Sequence, residues 1–505
     1  MNYCILGAAK SGVAAAQLAS TINNISNIHS NIFVRELGNA ENFSEAITVF
    51  DAIGVKYEFG SDSQTLEKAE KTLPNFDCLI ISPGVPPTAN FIKKAQEIGI
   101  PVISEMEFAF QNLKNPITNL KNPIIAITGT NGKTTTTTLI SYILNQAGKT
   151  AVSVGNIGLP LSTVVHQILQ KKQISQNNSK SNSNQILHSN QNLQKNNSEI
   201  DENTILVTEV SSYQLEFIDT FRPNIAIILN ITPDHLKYHQ TFENYINAKL
   251  KIAKNQTSED YLIVNSDDEV LNCKNINEFK NKNNIKSNIY QFSLSQVERG
   301  IYILGDKMIN KMQQNKEEIM RTQEIKIPGA HNQYNSMAAM VAAKVWQITN
   351  EDLRDSLMQF QGVEHRLEIV QTINGVDYIN DSKATNVNAS WYALSSYSKP
   401  IIWLAGGQGD NNDYSLLDKI VASNVVKIIS FGEESEAIYS RYSQAIDCDK
   451  VATLYDAVKL AHQTAKNGDV VLFTTACKSF DQFSNYEQRG ETFKQAVYRL
   501  VVRVN

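Results

Sequence analysis

Apolar positions along this chain fall into short runs that close on small or polar residues: "YCILGAAKSG", "CLIISPGV", "PIIAITGT", "TILVTEVSS", "IAIILNITPDH", "PIIWLAGGQG", "VVKIISFGEE" and "DVVLFTTACKS". Short runs rich in β-branched residues and closed by glycine predict buried strands. Helical spacing fills the intervals. After "PIIAITGT", residues Leu139, Ile140, Ile143, Leu144 and Ala147 share one helical face, and Gly148 supplies the stop. Strands alternating with helices predict an α/β protein of mostly parallel sheets. Its functional residues should gather at the carboxyl ends of the strands, where the glycines, acids and histidines of these runs sit.

The pattern breaks at the Pro/Asn-rich "QNLKNPITNLKNP", near residue 110, and at "FQGVEHR", near residue 361. These breaks predict three domains, 1–110, 111–361 and 362–505, in keeping with about 150 residues per domain. Residues 171–203 are rich in Asn, Gln, Ser and Lys, with almost no apolar content. Such a stretch cannot bury enough surface to order itself and reads as a mobile surface insertion of the central domain. "CKNINEFKNKNNIKSN" reads the same way.

Composition narrows the function. With 505 residues, 42% of them hydrophobic, the chain can bury real cores. A formal net charge of −5 argues against nucleic acid or a membrane surface as the main partner. No apolar run approaches the roughly 18 residues that a bilayer requires, and the start "MNYCILGAAKSG" lacks the charged region of a signal peptide. The five cysteines (Cys4, Cys78, Cys273, Cys448, Cys477) form no C-x-x-C pair. Reduced thiols and a cytoplasmic location are the expectation.

The chemistry concentrates around "PIIAITGTNGKTTTTTLISYIL". A Walker A loop reads G-x-x-x-x-G-K-[ST]. Here Gly132, Lys133 and Thr134 fit, but Ile127 holds the place of the first glycine and the nearest glycine is Gly129. Strand, glycine loop and helix start would aim unpaired N–H groups and the positive end of the helix dipole at an anion. Lys133 would add a charge for the β- and γ-phosphates, and Thr134 a hydroxyl for Mg²⁺. Glu209 closes a hydrophobic strand, as a Mg²⁺-binding acid does, and Asp234 and His235 close another. Lys249 and Lys251, in "YINAKLKIA", read from the residues alone as a solvated helix face.

The order T-G-T-N-G-K-[ST] resembles the ATP loop of the Mur ligase family, which includes folylpolyglutamate synthetase and in which the first glycine is normally absent. The resemblance continues in E-V-S-S-Y-Q-L-E, in N-I-T-P-D-H, in Y-x-x-A-K and in H-N-x-x-N-x-x-A-A. It runs on through "GVEHR" to N-D-S-K-A-T-N, spanning nearly the whole chain apart from the insertion and the region around 272–320. It implies a Rossmann-like N-terminal domain, a P-loop-type central ATPase domain and a Rossmann-like C-terminal domain. It also implies an ATP- and Mg²⁺-dependent amide ligase working through an acyl phosphate. ATP would lie on Gly129, Thr130, Asn131, Gly132, Lys133, Thr134 and Thr135, with Asn332 and Asn335 near the adenine. Arg366 would reach the phosphates, Asp381 would hold the ribose, and Lys383 would stabilise charge at the transferring phosphate. Metal ligands would be Thr134, Glu209, His235 and Lys249, the last as a carbamate. Catalysis would rest on Lys133, His235, Lys249 and Lys383.

"TTACKSFDQFSNYEQRGETF" resembles the D-glutamate-adding members. Lys383, Thr385, Ser479, Phe480 and Tyr486 would then hold D-glutamate. "LAGGQGDNNDY" departs from the pattern G-G-x-x-K-x-x-[DE]-[FY], because Asp410 stands where other members carry a basic residue. From the residues alone, "ILGAAKSG" suits a dinucleotide as well as a nucleotide sugar. The family implies UDP-N-acetylmuramoyl-L-alanine, with Lys10, Ser11, Glu36, Gly84 and Asn156 as contacts. A monomer is expected. The alternatives are another Mur-type or folylpolyglutamate ligase, or a nucleotide-gated binding protein without ligation.

Overall fold

The computed structural model describes residues 1–27, 30–180, 200–409 and 412–502. Three sheets organise them. The first holds β1 (Tyr3–Leu6), β2 (Ile32–Glu36), β3 (Lys56–Phe59), β4 (Cys78–Ile81) and β5 (Val102–Ser104), all parallel, in the order β3-β2-β1-β4-β5. The second comprises β6 (Ile124–Thr128), β7 (Ala151–Gly155), β8 (Ile205–Glu209), β9 (Ile225–Ile228), β10 (Tyr261–Asn265), β11 (Asn288–Ser293), β12 (Gly300–Leu304), β13 (Lys307–Asn310) and β14 (Glu317–Arg321). Its order is β14-β13-β12-β11-β10-β9-β6-β8-β7, with antiparallel pairing only where β12, β13 and β14 meet. The third contains β15 (Glu368–Ile373), β16 (Val376–Asp381), β17 (Ile401–Gly406), β18 (Val425–Phe431), β19 (Asp447–Lys450) and β20 (Val470–Thr474), ordered β15-β16-β20-β17-β18-β19. Only β15 runs antiparallel there. The central strands of each sheet are buried on both faces, which explains their unbroken apolar runs. No helix among the described residues is long and apolar enough to cross a membrane.

Contacts divide the chain into two compact units. Met1–Thr322 with Tyr334–Ser356 carries the first two sheets, and Gln323–Gln333 with Leu357–Asn505 carries the third. Within the first unit, two buried carboxylates at the start of the helix Glu105–Leu113 reach from one sheet's layer to the next. Glu107 accepts hydrogen bonds from Thr220 N (2.9 Å), Thr220 Oγ1 (2.6 Å) and Phe221 N (2.9 Å). Glu105 accepts from Ser162 N at 2.7 Å, and burial raises its pKa. Ser104 N donates to Phe217 O, and the rings of Phe110 and Phe221 meet edge-on at 5.3 Å. In the second unit, the helices Val387–Ser395, Asp418–Asn424 and Ser435–Tyr442 pack on one face of the sheet. Leu454–Thr464 and Tyr486–Val502 pack on the other.

Two polar stretches differ from expectation. The helix Leu161–Lys180 carries into the predicted insertion as far as Lys180. Side chains fasten that stretch: Lys171 Nζ donates to Ile200 O, and Lys172 Nζ to Thr118 O and Asn119 O. Residues 181–199 lie outside the described chain. "CKNINEFKNKNNIKSN" folds as a helix, Ile276–Asn283, because Asn275 caps its start and Phe279 anchors it in the core.

Glu107→Ala leaves the backbone N–H groups of Thr220 and Phe221 and the Thr220 hydroxyl without their buried acceptor. We expect a loss of about 3 kcal/mol in unfolding free energy, read as a lower urea midpoint, with Glu107→Gln costing less.

Candidate functional site

The loop after β6 is fixed by its neighbours. Asn230 clasps it from the end of β9: its Oδ1 accepts from Asn131 N at 2.8 Å, and its Nδ2 donates to Asn131 O at 3.1 Å. Thr130 Oγ1 donates to Thr232 O, accepts from Thr232 N and lies 3.0 Å from Tyr245 Oη. Gly132 sits at φ +84° just before the helix Lys133–Gln146, and a Cβ there would meet Asn335 Oδ1 at 2.3 Å. Asn335 thus packs on the loop and accepts from Thr136 Oγ1 at 3.3 Å. Thr134 and Thr135 are buried in the first turn of that helix.

Two ammonium groups meet at this loop. Lys133 Nζ donates to Gly129 O and Thr130 O, and Lys249 Nζ also donates to Gly129 O, each at 2.8 Å. Lys249 is 1% exposed and lies over the Tyr245 ring, 4.6 Å from its centre. Burial first, and then the charge of Lys133, hold its pKa well below the usual lysine range, against the opposing pull of Asp234 and Glu209. Lys251, by contrast, reaches Glu216 at 2.9 Å near the surface. The solvated-face reading therefore fits Lys251 and fails for Lys249. Two positions apart, the two side chains leave on opposite sides of the helix.

Glu209 is 3% exposed. Its Oε1 accepts from Asn156 Nδ2 at 2.9 Å, while its Oε2 is buried with no hydrogen-bond partner. Asn156 N also donates to Glu209 O, so the loop "GNIGLP" is joined to the acid. His235 takes φ +54°, its N–H donating to Asp234 Oδ1, with the Tyr213 ring 5.0 Å away. Desolvation lowers the imidazole pKa; Asp234 opposes the shift, and Lys133 and Lys249 reinforce it. The imidazole is therefore neutral, the form that binds a metal. The orphaned buried oxygen of Glu209 and the neutral imidazole of His235 each suit a divalent cation, the carboxylate favouring a hard one such as Mg²⁺.

Elsewhere in the first unit, Glu36 accepts from Ala8 N at 2.8 Å and Gly38 N at 2.9 Å, so it closes the turn after β1. Lys10 and Ser11 begin the helix Lys10–Ser26 beside that turn, and Gly84 stands in an open loop at φ +96°.

In the second unit, the carboxyl end of β16 carries three of the expected residues, Asp381, Lys383 and Thr385. Asp381 is buried and accepts from Thr474 Oγ1 (2.8 Å) and Leu367 N (3.2 Å). Desolvation pushes its pKa up to about 7, against the nearby Arg366 guanidinium. Lys383 Nζ lies 5.5 Å from the centre of the Tyr486 ring, and Thr385 N donates to Lys383 O. Ser479 is buried after β20, while Phe480 is exposed. Asn332 donates to Pro328 O at 2.6 Å. Asp410 lies outside the described residues. Sequence reasoning missed Asn230, Tyr245 and Arg489. Arg489 is fully buried, donating to Ser382 Oγ and O and to the carbonyls of Cys477 and Lys478. The arginine of the R-G pair in "NYEQRGETF" was its only signal.

Residues 127–343 match the Mur ligase middle domain, and residues 365–477 the Mur ligase, glutamate ligase domain. The UDP-N-acetylmuramoylalanine--D-glutamate ligase of Natranaerobius thermophilus is 37% identical over 503 residues, covering 99% of this chain and 98% of its own. The enzyme of the same name from Salinibacter ruber is 35% identical over 98% of this chain and 97% of its own. Among solved structures, UDP-N-acetylmuramate-alanine ligase from Thermotoga maritima superposes with a TM-score of 0.56 at 18% identity, covering both chains fully. That likeness concerns the fold.

His331 gives this region a pH signature. Burial, then Arg366, lowers its pKa from the usual 6.5 to about 4. The unfolded chain therefore takes the proton first as pH falls. The stability from a neutral His331 is complete above about pH 6.5 and is lost toward pH 4, by about 3 kcal/mol. Urea unfolding across that range should be shallower in pH for His331→Gln than for the wild type.

Proposed function

The chain belongs to the Mur ligase family, and we propose that it joins D-glutamate to UDP-N-acetylmuramoyl-L-alanine, cleaving ATP to ADP and phosphate. The observation that carries the mechanism is the pair of ammonium groups on Gly129 O beside the unpartnered Glu209 Oε2. A loop so charged calls for phosphate, and so buried an acid calls for a cation. End-to-end similarity to ligases of that name supports the choice of substrates.

ATP is read as lying across the N–H groups of Gly129, Thr130, Asn131 and Gly132, with Lys133 on the β- and γ-phosphates and Thr135 in the same turn. Asn335 and Asn332 would flank the adenine, Asp381 the ribose and Arg366 the phosphates. A carboxylate oxygen of the nucleotide sugar attacks the γ-phosphorus and ADP leaves. The D-glutamate amine then displaces phosphate from the acyl phosphate. Two anions must touch in the first step, so the residues act chiefly by neutralising charge and aligning the reactants. Lys133 and Lys383 stabilise the transferring group, and water is kept from the acyl phosphate. Thr134, Glu209, His235 and Lys249 as its carbamate would hold Mg²⁺, which supplies charge neutralisation at the phosphates. Carbamylation needs a neutral amine, and the lowered pKa of Lys249 favours it.

UDP-N-acetylmuramoyl-L-alanine is assigned to the first sheet, near Lys10, Ser11, Glu36 and Gly84, with Asn156 linking it to the metal site. D-glutamate is assigned to Lys383, Thr385, Ser479, Phe480 and Tyr486. Domain limits near residues 110 and 361, a cytoplasmic location and a monomeric state complete the reading. Buried free thiols such as Cys4, Cys78 and Cys273 support the location.

With ATP and UDP-N-acetylmuramoyl-L-alanine present, phosphate release should require D-glutamate; release with L-lysine or L-alanine instead would select another family reaction. Lys133→Ala should lower kcat on the order of 10²-fold or more, whereas unchanged turnover would mark a binding protein. In ¹³C-bicarbonate, the wild type should show a carbamate resonance that Lys249→Ala lacks.

A further inference from the structure

A substrate with two carboxylates needs positive charge at both, and the residues assigned to D-glutamate above include one cation, Lys383. Arg489 cannot serve as the second. It is fully buried, and its Nε, Nη1 and Nη2 donate to Ser382 and to the carbonyls of Cys477 and Lys478.

The topology shows where a second cation belongs. The helices after β16 and β17 cover one face of the third sheet, and the helix after β20 covers the other. Loops leaving the carboxyl ends of neighbouring strands toward opposite faces part to form a ligand-binding crevice. β20 lies between β16 and β17, so it has such a crevice on each side. Lys383 follows β16, on one side. On the other side, the loops after β17 and β20 are clamped by a two-way bridge. Gln408 N donates to Lys478 O at 2.9 Å, and Lys478 N donates to Gln408 O at 3.0 Å. Side chains of residues paired in an antiparallel bridge leave on the same face. The preceding residue, Cys477, turns inward, its Sγ 3.2 Å from Tyr414 Oη and 3.5 Å from Asn412 Nδ2. Lys478 therefore leaves the opposite way, with Gln408, and is half-buried. The chain turns directly after it, Gln482 N and Phe483 N donating to Ser479 O, which fixes Lys478 at the rim. Near this rim Glu434 Oε2 accepts from Tyr414 Oη, and Asp481 Oδ2 from Glu433 N.

We propose that Lys478 is a specificity-determining residue that binds one carboxylate of the acidic amino acid, as the partner of Lys383 across the end of β20. The assignment rests on the ligase reading above. It also gives the glycine loop after β17 a purpose although that loop carries no lysine of its own. The loop supplies the backbone bridge, and the opposing loop supplies the charge.

Steady-state kinetics on the full-length enzyme test this. Lys478→Ala should raise KM for D-glutamate by roughly tenfold to a hundredfold, the worth of a charged hydrogen bond. KM for ATP and for UDP-N-acetylmuramoyl-L-alanine should hold, kcat should change little, and Lys478→Arg should restore most of the loss. Melting temperatures of both variants should match the wild type, since the side chain is half in solvent. A KM for D-glutamate within twofold of wild type in Lys478→Ala would overturn the inference while leaving the ligase reading intact. A wild type that does not turn over D-glutamate would overturn that reading itself. Equal rises in all three KM values, or no recovery in Lys478→Arg, would assign Lys478 a structural role and also overturn it.

Discussion

Two ammonium groups donate to a single carbonyl oxygen, Gly129 O, and one of them is sealed from water. Two charges this close in a partly dry setting would repel strongly, so burial and Lys133 hold the Lys249 pKa down against the pull of Asp234 and Glu209 and favour its neutral amine. Two events in the proposed reaction would remove the conflict. An incoming polyphosphate would neutralise Lys133, and conversion of Lys249 to a carbamate would reverse the sign of the buried group. Asn230, Thr130 and Tyr245 hold the loop in register while it waits for either.

The same economy of buried charge joins the first sheet to the second. Glu107 takes three donors from the segment after β8, and Glu105 caps the helix that follows β7. A hydrophobic seam alone would let these layers slide. Carboxylates that must keep their donors allow one arrangement, because breaking it would leave a charge without partners in the interior. The residues proposed for the nucleotide sugar and the proposed ATP loop accordingly lie in one compact unit.

Much of this was legible in the sequence. Apolar runs closed by glycine marked the strands, and the strand ends carried Glu209, His235 and Asp381 because parallel sheets expose those ends. Lys249 was not legible from its helix alone: "NAKLK" offers two lysines, and only the packing of Tyr245 and Gly129 decides which is buried. Arg489 was hidden for a related reason, since an arginine near a chain's end usually reads as surface. Its burial follows from two loops whose three carbonyls converge on it. Asn275 and Phe279 likewise made a helix of a stretch whose polar content suggested none, because one cap and one anchor outweigh a poor average.

Asn156 has a reach beyond its size. Its backbone and side chain both hold Glu209, while its own loop, "GNIGLP", is the one assigned to the sugar nucleotide. Any occupant that shifts this loop must also shift the carboxylate, and any ion that fixes the carboxylate must stiffen the loop. Thermodynamic reciprocity then requires each to alter the other's affinity by the same factor. If both occupants bind as proposed, one asparagine would make them cooperative.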